Sequence, residues 1–156
     1  IVQILGTLVP KDCLGGLGLA EIDRLGNINS TRLPNGKFMV GSGGANDIAS
    51  TADCLVVGKA IKSRFVDNVS YITSPGTNVF QVVCQFGRFT RHQEKKIYEL
   101  THYLPSPIDG DLAAKDAVEK YTTWSAYAGL PLMEEPASQD ELDILRRLDP
   151  DKIFLG

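Results

Sequence analysis

The chain of 156 residues is short of the features that mark several common functions. Positive charge is not in excess: the formal net charge is −3 and the pI near 5.3, so no basic field exists to draw nucleic acid. No apolar run approaches the length of a membrane span. Histidine is scarce, and His92 and His102 stand ten apart with no cysteine or carboxylate at ligand spacing; both read as structural, and no metal site is expected. The three cysteines, Cys13, Cys54 and Cys84, form no C-x-x-C pair, and two of them sit in apolar stretches. That pattern fits reduced, buried thiols in a soluble cytoplasmic protein. An initiator Met and a signal-peptide charge pattern are lacking too. Ile1-Val2-Gln3-Ile4-Leu5 opens in mid-strand, so further chain is expected upstream.

With 43% hydrophobic and 22% charged residues, the chain has enough apolar material for one domain with a sizeable core. Its organising stretch is Lys37 to Ser50. Lys37-Phe38-Met39-Val40 reads as a short apolar strand, Gly41-Ser42-Gly43-Gly44 as a bare loop, and Asn46 to Ala52 as the start of a helix. Glycine serves where backbone comes close to something or takes positive φ, and a helix start leaves N–H groups pointing forward. Such a loop suits an anion or a developing oxyanion. The plain alternative is a tight turn whose glycines only let strand and helix pack. A P-loop is excluded because no Lys follows the glycines, and a dinucleotide fingerprint because Asn46 stands where a Gly or Ala is needed.

Around this stretch the pattern alternates strand and helix. Leu14 to Ala20 is rich in small residues, which suits either backbone crowded against another layer or a glycine-softened start of a strand. Ala20 to Asp23 reads as a strand and Leu25 to Ser30 as a turn with a short extended piece, in which Asn27 and Asn29 fit turn chemistry. Cys54 to Gly58 is continuously apolar, as in a strand covered on both faces. The basic residues Lys59, Lys62 and Arg64 follow; if the chain stays extended there, Lys62 and Arg64 share a face. Val69 to Thr73 and Val79 to Gln85 read as further strands, and Phe86 to Tyr103 as an antiparallel hairpin. Asp111 to Trp124 has helical spacing with Asp109 or Asp111 as N-cap. Ser138-Gln139-Asp140-Glu141 is a capping box opening a last helix. The expected fold class is α/β: an open, mainly parallel sheet flanked by helices, with an antiparallel hairpin.

Several of these segments resemble family I coenzyme A transferases, specifically the β subunit of the glutaconate type. Gly41-Ser42-Gly43-Gly44-Ala45-Asn46-Asp47-Ile48-Ala49-Ser50 is similar to the family's glycine-rich loop. Glu21-Ile22-Asp23-Arg24-Leu25-Gly26-Asn27-Ile28-Asn29-Ser30-Thr31 resembles its strand-and-turn stretch, V-D-R-Y-G-N-x-N-T-T. Lys62-Ser63-Arg64-Phe65-Val66 and Val69 to Gly76 resemble its K-R-R-F-V and V-x-x-V-T-S-P-G segments. Asp140 to Pro150 is like its C-terminal helix. The likeness is strongest over residues 14 to 76 and weak from 77 to 137.

The resemblance implies a C-terminal portion of a β-type subunit that pairs with an α-type subunit in an oligomer. CoA would move between an acyl-CoA and a carboxylic acid through a glutamyl-CoA intermediate, with coenzyme A thioester as substrate and no tightly bound cofactor. The nucleophilic Glu of the family lies upstream of the matched stretches, outside this chain. Gly43, Gly44 and Ala45 would supply oxyanion donors, and Gly41, Asn46, Asn29, Lys62 and Arg64 would contact CoA. Glu21 falls at a variable family position and is not assigned. Two alternatives accompany this reading: a CoA-dependent ring-opening hydrolase subunit of the same fold, and a non-catalytic acyl-CoA-binding module.

Overall fold

The computed structural model describes residues 13–105, 110 and 112–153. In chain order its elements are β1 (Leu14–Gly18), β2 (Glu21–Asp23), β3 (Ile28–Asn29), α1 (Ala45–Thr51), β4 (Asp53–Val57), β5 (Phe65–Val66), β6 (Val79–Cys84), β7 (Gly87–Arg91), β8 (Tyr98–Tyr103), α2 (Ala114–Tyr121), β9 (Leu132–Met133) and α3 (Gln139–Leu148). The α/β expectation holds. A six-stranded sheet runs β1-β4-β6-β7-β8-β9, and a smaller sheet runs β3-β2-β5. Pairing is parallel from β1 through β4 to β6 and again between β8 and β9. It is antiparallel across β6, β7 and β8, where the expected hairpin lies.

The core forms where one face of the large sheet meets the small one. Leu17, Val56, Val82, Phe89 and Leu100 stand in one register row across five strands and are all buried. Phe65 of β5 faces them, 6.2 Å from Phe89 and 4.9 Å from Trp124 between ring centroids. Helix α2 adds Ala117 and Val118, with Tyr121 stacked on Phe86 at 5.5 Å. Helix α1 adds Ala49, and at β1 it lies so close that a Cβ on Gly15 would sit 2.5 Å from Ile48 Cγ2. Backbone crowding is thus the reason for glycine at position 15.

The other face of the large sheet is uncovered among the described residues. Leu14 is 64% and Val57 54% exposed, so β4 is buried on one side only, and the expectation of cover on both faces is corrected. Lys37 to Val40 forms no strand of either sheet. Phe38 and Val40 are exposed, and among the described residues the segment makes one antiparallel bridge, Arg32 to Phe38. Val69 to Thr73 is likewise irregular; Thr73 N–H donates to Ile28 O, the Ile28–Ser74 bridge lies just beyond it, and Tyr71 and Ile72 face outward.

Helix α2 is shorter than its spacing suggested and starts after Ala113 without a side-chain cap. The candidate caps Asp109 and Asp111, like the strand expected at Ile1 to Leu5, lie outside the described residues. Helix α3 opens on the expected capping box: Glu141 N–H donates to Ser138 Oγ, and Ser138 N–H to Glu141 Oε2 at 2.8 Å. The Ser138 N–H and hydroxyl, both donating to Glu141 Oε2, hold the Glu141 carboxyl below its ordinary value. No residue of α3 is buried.

Cys13 is exposed, against the expectation of burial, and Cys54 is buried. Burial pushes the Cys84 thiol up to about 12. No helix among the described residues is long and apolar enough to cross a membrane. They also hold no group of three or more His, Cys, Asp or Glu arranged to bind a metal ion.

Candidate functional site

The glycine loop hangs from the turn that follows β3. Met39 N–H donates to Thr31 O at 2.7 Å and Gly41 N–H to Ser30 O at 2.9 Å, which fixes where the loop begins. Gly41 then takes φ +93° and Gly43 φ +57°, both left-handed values that favour glycine. A Cβ at either position would meet nothing within 4 Å. These two glycines therefore serve backbone direction, and the space beside them is open. Gly44 follows at φ −100°, ψ 6° without a side-chain cap on the helix. Such alternation turns successive N–H groups to one side.

Among the described residues the amides of Gly43, Gly44 and Asn46 have no protein acceptor. The Ala45 amide differs. It donates to Ser42 O at 3.0 Å, because the chain makes a tight turn before the helix, so Ala45 is withdrawn as an oxyanion donor. Side chains brace the loop: Ser42 Oγ donates to Asn46 Oδ1 at 3.0 Å, and Asn46 Nδ2 to Asp47 Oδ1 at 3.3 Å. A single residue, Ala52, links α1 to β4 and sends the helix back along the strands. Ile48, in the first turn of α1, packs over Gly15 and Cys54, the second residues of β1 and β4.

The other candidates divide. Asn29 is fully buried and spent: Nδ2 donates to Glu21 Oε2 at 2.7 Å and to Arg32 O at 2.6 Å, while Oδ1 accepts from Thr31 and Arg32 N–H. It has no polar capacity left for a ligand. Lys62 and Arg64 are exposed, but they lie in a turn closed by Arg64 and Phe65 N–H on Ile61 O. A turn does not alternate like a strand, so the shared-face argument for the pair fails. Lys59 is exposed, and next to it Gln85 clamps Ala60 through both its backbone groups.

Glu21 was passed over in the sequence, and the fold gives it prominence. It is 7% exposed, within a strand buried along its whole length. A carboxylate between Ala20 and Ile22 in a short apolar strand was the available signal. It opens on a cavity of about 580 Å³, whose walls include Leu33, Pro34, Met39, Ser63 and Arg64. A larger hollow of about 670 Å³ is only the concavity between α3 and the segment before it.

Two further motifs turn out to lock the fold. Asp23 Oδ1 accepts from Leu25 and Asn27 N–H, and Oδ2 from Asn27 Nδ2. Asn27 Oδ1 in turn accepts from Gly76 N–H at 3.0 Å. A Cβ on Gly76 would lie 2.4 Å from Leu25 O, so glycine is required for this approach.

Known proteins share both sequence and architecture with this chain. The B-type subunit of glutaconate CoA-transferase from Acidaminococcus fermentans is 42% identical over 65 residues, 38% of this chain and 24% of that protein. The B-type subunit of 3-oxoadipate CoA-transferase from Pseudomonas knackmussii is 40% identical over 74 residues, 40% of this chain and 26% of that protein. The crystal structure of glutaconate coenzyme A-transferase from Acidaminococcus fermentans matches with a TM-score of 0.81 at 24% identity, over 99% of this chain and 64% of that one. This is a CoA-transferase fold. It extends to IpdAB of Rhodococcus jostii RHA1, with a TM-score of 0.76 at 18% identity over 97% of this chain and 66% of that one. It extends also to the decarboxylase AibA/AibB, with a TM-score of 0.71 at 16% identity over 90% of this chain and 58% of that one. No family model matches the chain. The sequence matches span about a quarter of each transferase subunit, and this chain just under two thirds of the glutaconate CoA-transferase chain. Within the CoA-transferase fold, the Asp23–Asn27 and Ser74–Gly76 motifs are structural, and the glycine loop is the part whose backbone donors are left open.

Proposed function

We propose that this chain is a single-domain, C-terminal portion of a CoA-transferase B-type subunit. It works in the cytoplasm with an α-type subunit, in an oligomer, and moves CoA between an acyl-CoA and a carboxylic acid. The observation that carries this reading is that sequence likeness and fold likeness point to the same proteins: two transferase subunits of the B type at 40% identity or more, and a CoA-transferase structure over nearly the whole chain. The fold alone is shared with a decarboxylase and does not choose between chemistries. The sequence relatives favour transfer.

In this mechanism a glutamate outside the chain attacks the acyl-CoA carbonyl, the C–S bond breaks, and CoA leaves as thiolate. The thiolate attacks the glutamyl carbonyl of the mixed anhydride, giving glutamyl-CoA and releasing the first acid. The acceptor carboxylate repeats both steps in reverse. Each addition creates a tetrahedral oxyanion. The free amides of Gly43 and Gly44, with Asn46 beside them, are the donors offered by this chain, each worth roughly 3 kcal/mol when well aimed. Gly41 sets the direction of the loop, and Asn29 acts through the turn it holds rather than by touching CoA. Lys62 and Arg64 project from the 61–64 turn as partners for the phosphates of CoA.

The test is exchange of CoA between acyl-CoA and free carboxylic acids by the complete B-type subunit with its α-type partner. Replacing both Lys62 and Arg64 with Ala should raise the KM for acyl-CoA about tenfold, more steeply at low salt, and leave the acceptor acid unaffected. Absence of exchange with every acyl-CoA tried would overturn the transfer reading.

A further inference from the structure

Glu21 presents half of a carboxylate to a cavity that opens to solvent. Oε2 is engaged by Asn29 Nδ2 at 2.7 Å, while Oε1 has no partner among the described residues. The side chain is nine-tenths buried, and the cavity of about 580 Å³ into which it opens is otherwise walled largely by Leu33, Pro34, Met39 and Val66. That oxygen is reached through the cavity rather than sealed in the core, and a ligand entering there with a hydrogen-bond donor replaces the water it would otherwise face. Asn29 cannot serve it, since both of its amide hydrogens are used on Glu21 and Arg32. Nor does a cation neutralise it: Arg64 lines the same cavity without forming an ion pair with Glu21.

The cavity also belongs to the same piece of structure as the glycine loop. Met39, in its wall, is two residues before Gly41 and is held by Thr31 O, in the turn that Asn29 organises. Taking acyl transfer as the activity, we infer that Glu21 is a specificity-determining residue, whose free oxygen selects acyl groups ending in a hydrogen-bond donor over acyl groups ending in a carboxylate. The chemistry is direct. A terminal hydroxyl donates to Oε1, whereas a terminal carboxylate has no proton to give and brings a second negative charge beside Glu21, in a cavity whose cationic wall residue, Arg64, is exposed to solvent.

The test uses this chain and two free acids of equal length, 5-hydroxypentanoate and glutarate, titrated and followed by ligand-observed NMR. The hydroxy acid should bind at least about tenfold more tightly, since a site built to hydrogen-bond a hydroxyl rejects an analogue that leaves it unpaired. Glu21→Gln keeps an oxygen for Asn29 and turns an amide N–H₂ into the cavity, so the preference should reverse. A purely structural Glu21 would not reverse it. Because a buried substitution can weaken folding, Leu33→Trp is the second variant; it fills the cavity without touching the Glu21–Asn29 pair and should abolish binding of both acids. Equal affinities in the wild-type chain, a ratio unchanged by Glu21→Gln, binding that survives Leu33→Trp, or no binding of either acid would each overturn the assignment. Discriminating binding without CoA exchange in the complete complex would sink the transfer reading and leave this site standing.

Discussion

Asp23–Asn27 and Gly41–Asn46 are turns made of the same few residue types, Gly, Asn and Asp or Ser, and they end in opposite states. In the first, the amides of Leu25, Asn27 and Gly76 all reach side-chain oxygens, and Asp23 is 3% exposed. In the second, the amides of Gly43, Gly44 and Asn46 reach none among the described residues. What separates them is a distant segment. Ser74 to Gly76 closes over the first turn, and nothing described closes over the second. Composition marks both as turns, and only tertiary structure decides which is a lock and which is a receptor.

The contrast can be broken most forcefully at Gly76. Gly76→Ala puts a Cβ against the backbone of Leu25 and Gly26, and the expected loss is about 3 kcal/mol or more, measured by urea unfolding. The same change at Gly43 meets open space and should cost only about 1 kcal/mol for its positive φ. Equal losses would erase the distinction between the two turns.

A change in function larger than the change in stability is expected from Gly44→Pro, which removes one amide at the helix N-cap but asks φ to move from −100° and follows a left-handed Gly43. In the complete subunit with its partner, kcat should fall about 100-fold, with a loss of stability of about 1 kcal/mol read separately from the melting temperature. An unaltered kcat would remove Gly44 from the oxyanion site. The smallest effect needs no substitution: by hydrogen exchange, Leu25, Asn27 and Gly76 amides should be protected by at least about tenfold more than Gly43 and Gly44. Protection of the loop amides equal to that of the turn would mean that an acceptor already occupies them.

The sequence announced the glycine loop, the helix after it, the hairpin and the capping box, because each is written in adjacent residues. It misled where pairing decides. Lys37 to Val40 and Val69 to Thr73 have strand composition but form no strand of either sheet. Apolar Cys54 to Gly58 looked doubly covered, although among the described residues one face of β4 is largely exposed. Alternation at Lys62 and Arg64 dissolved in a turn. Glu21 offered one signal, a carboxylate in a short apolar strand, because its burial, its bond to Asn29 and its cavity come from residues brought together by the fold.

The turn from Asn29 to Arg32 has one more role. On its inner side Asn29 grips the Glu21 carboxylate; on its outer side Ser30 and Thr31 carbonyls carry Gly41 and Met39. It is a lever with a sensing arm and a working arm. On the proposed reading, a ligand that shifts Glu21 would pull on Asn29, and through the Met39 and Gly41 backbone bonds would reach the root of the glycine loop. Recognition of an acyl tail and aim of the loop amides would then be geared together, and a poorly matched tail would be penalised in turnover as well as in affinity.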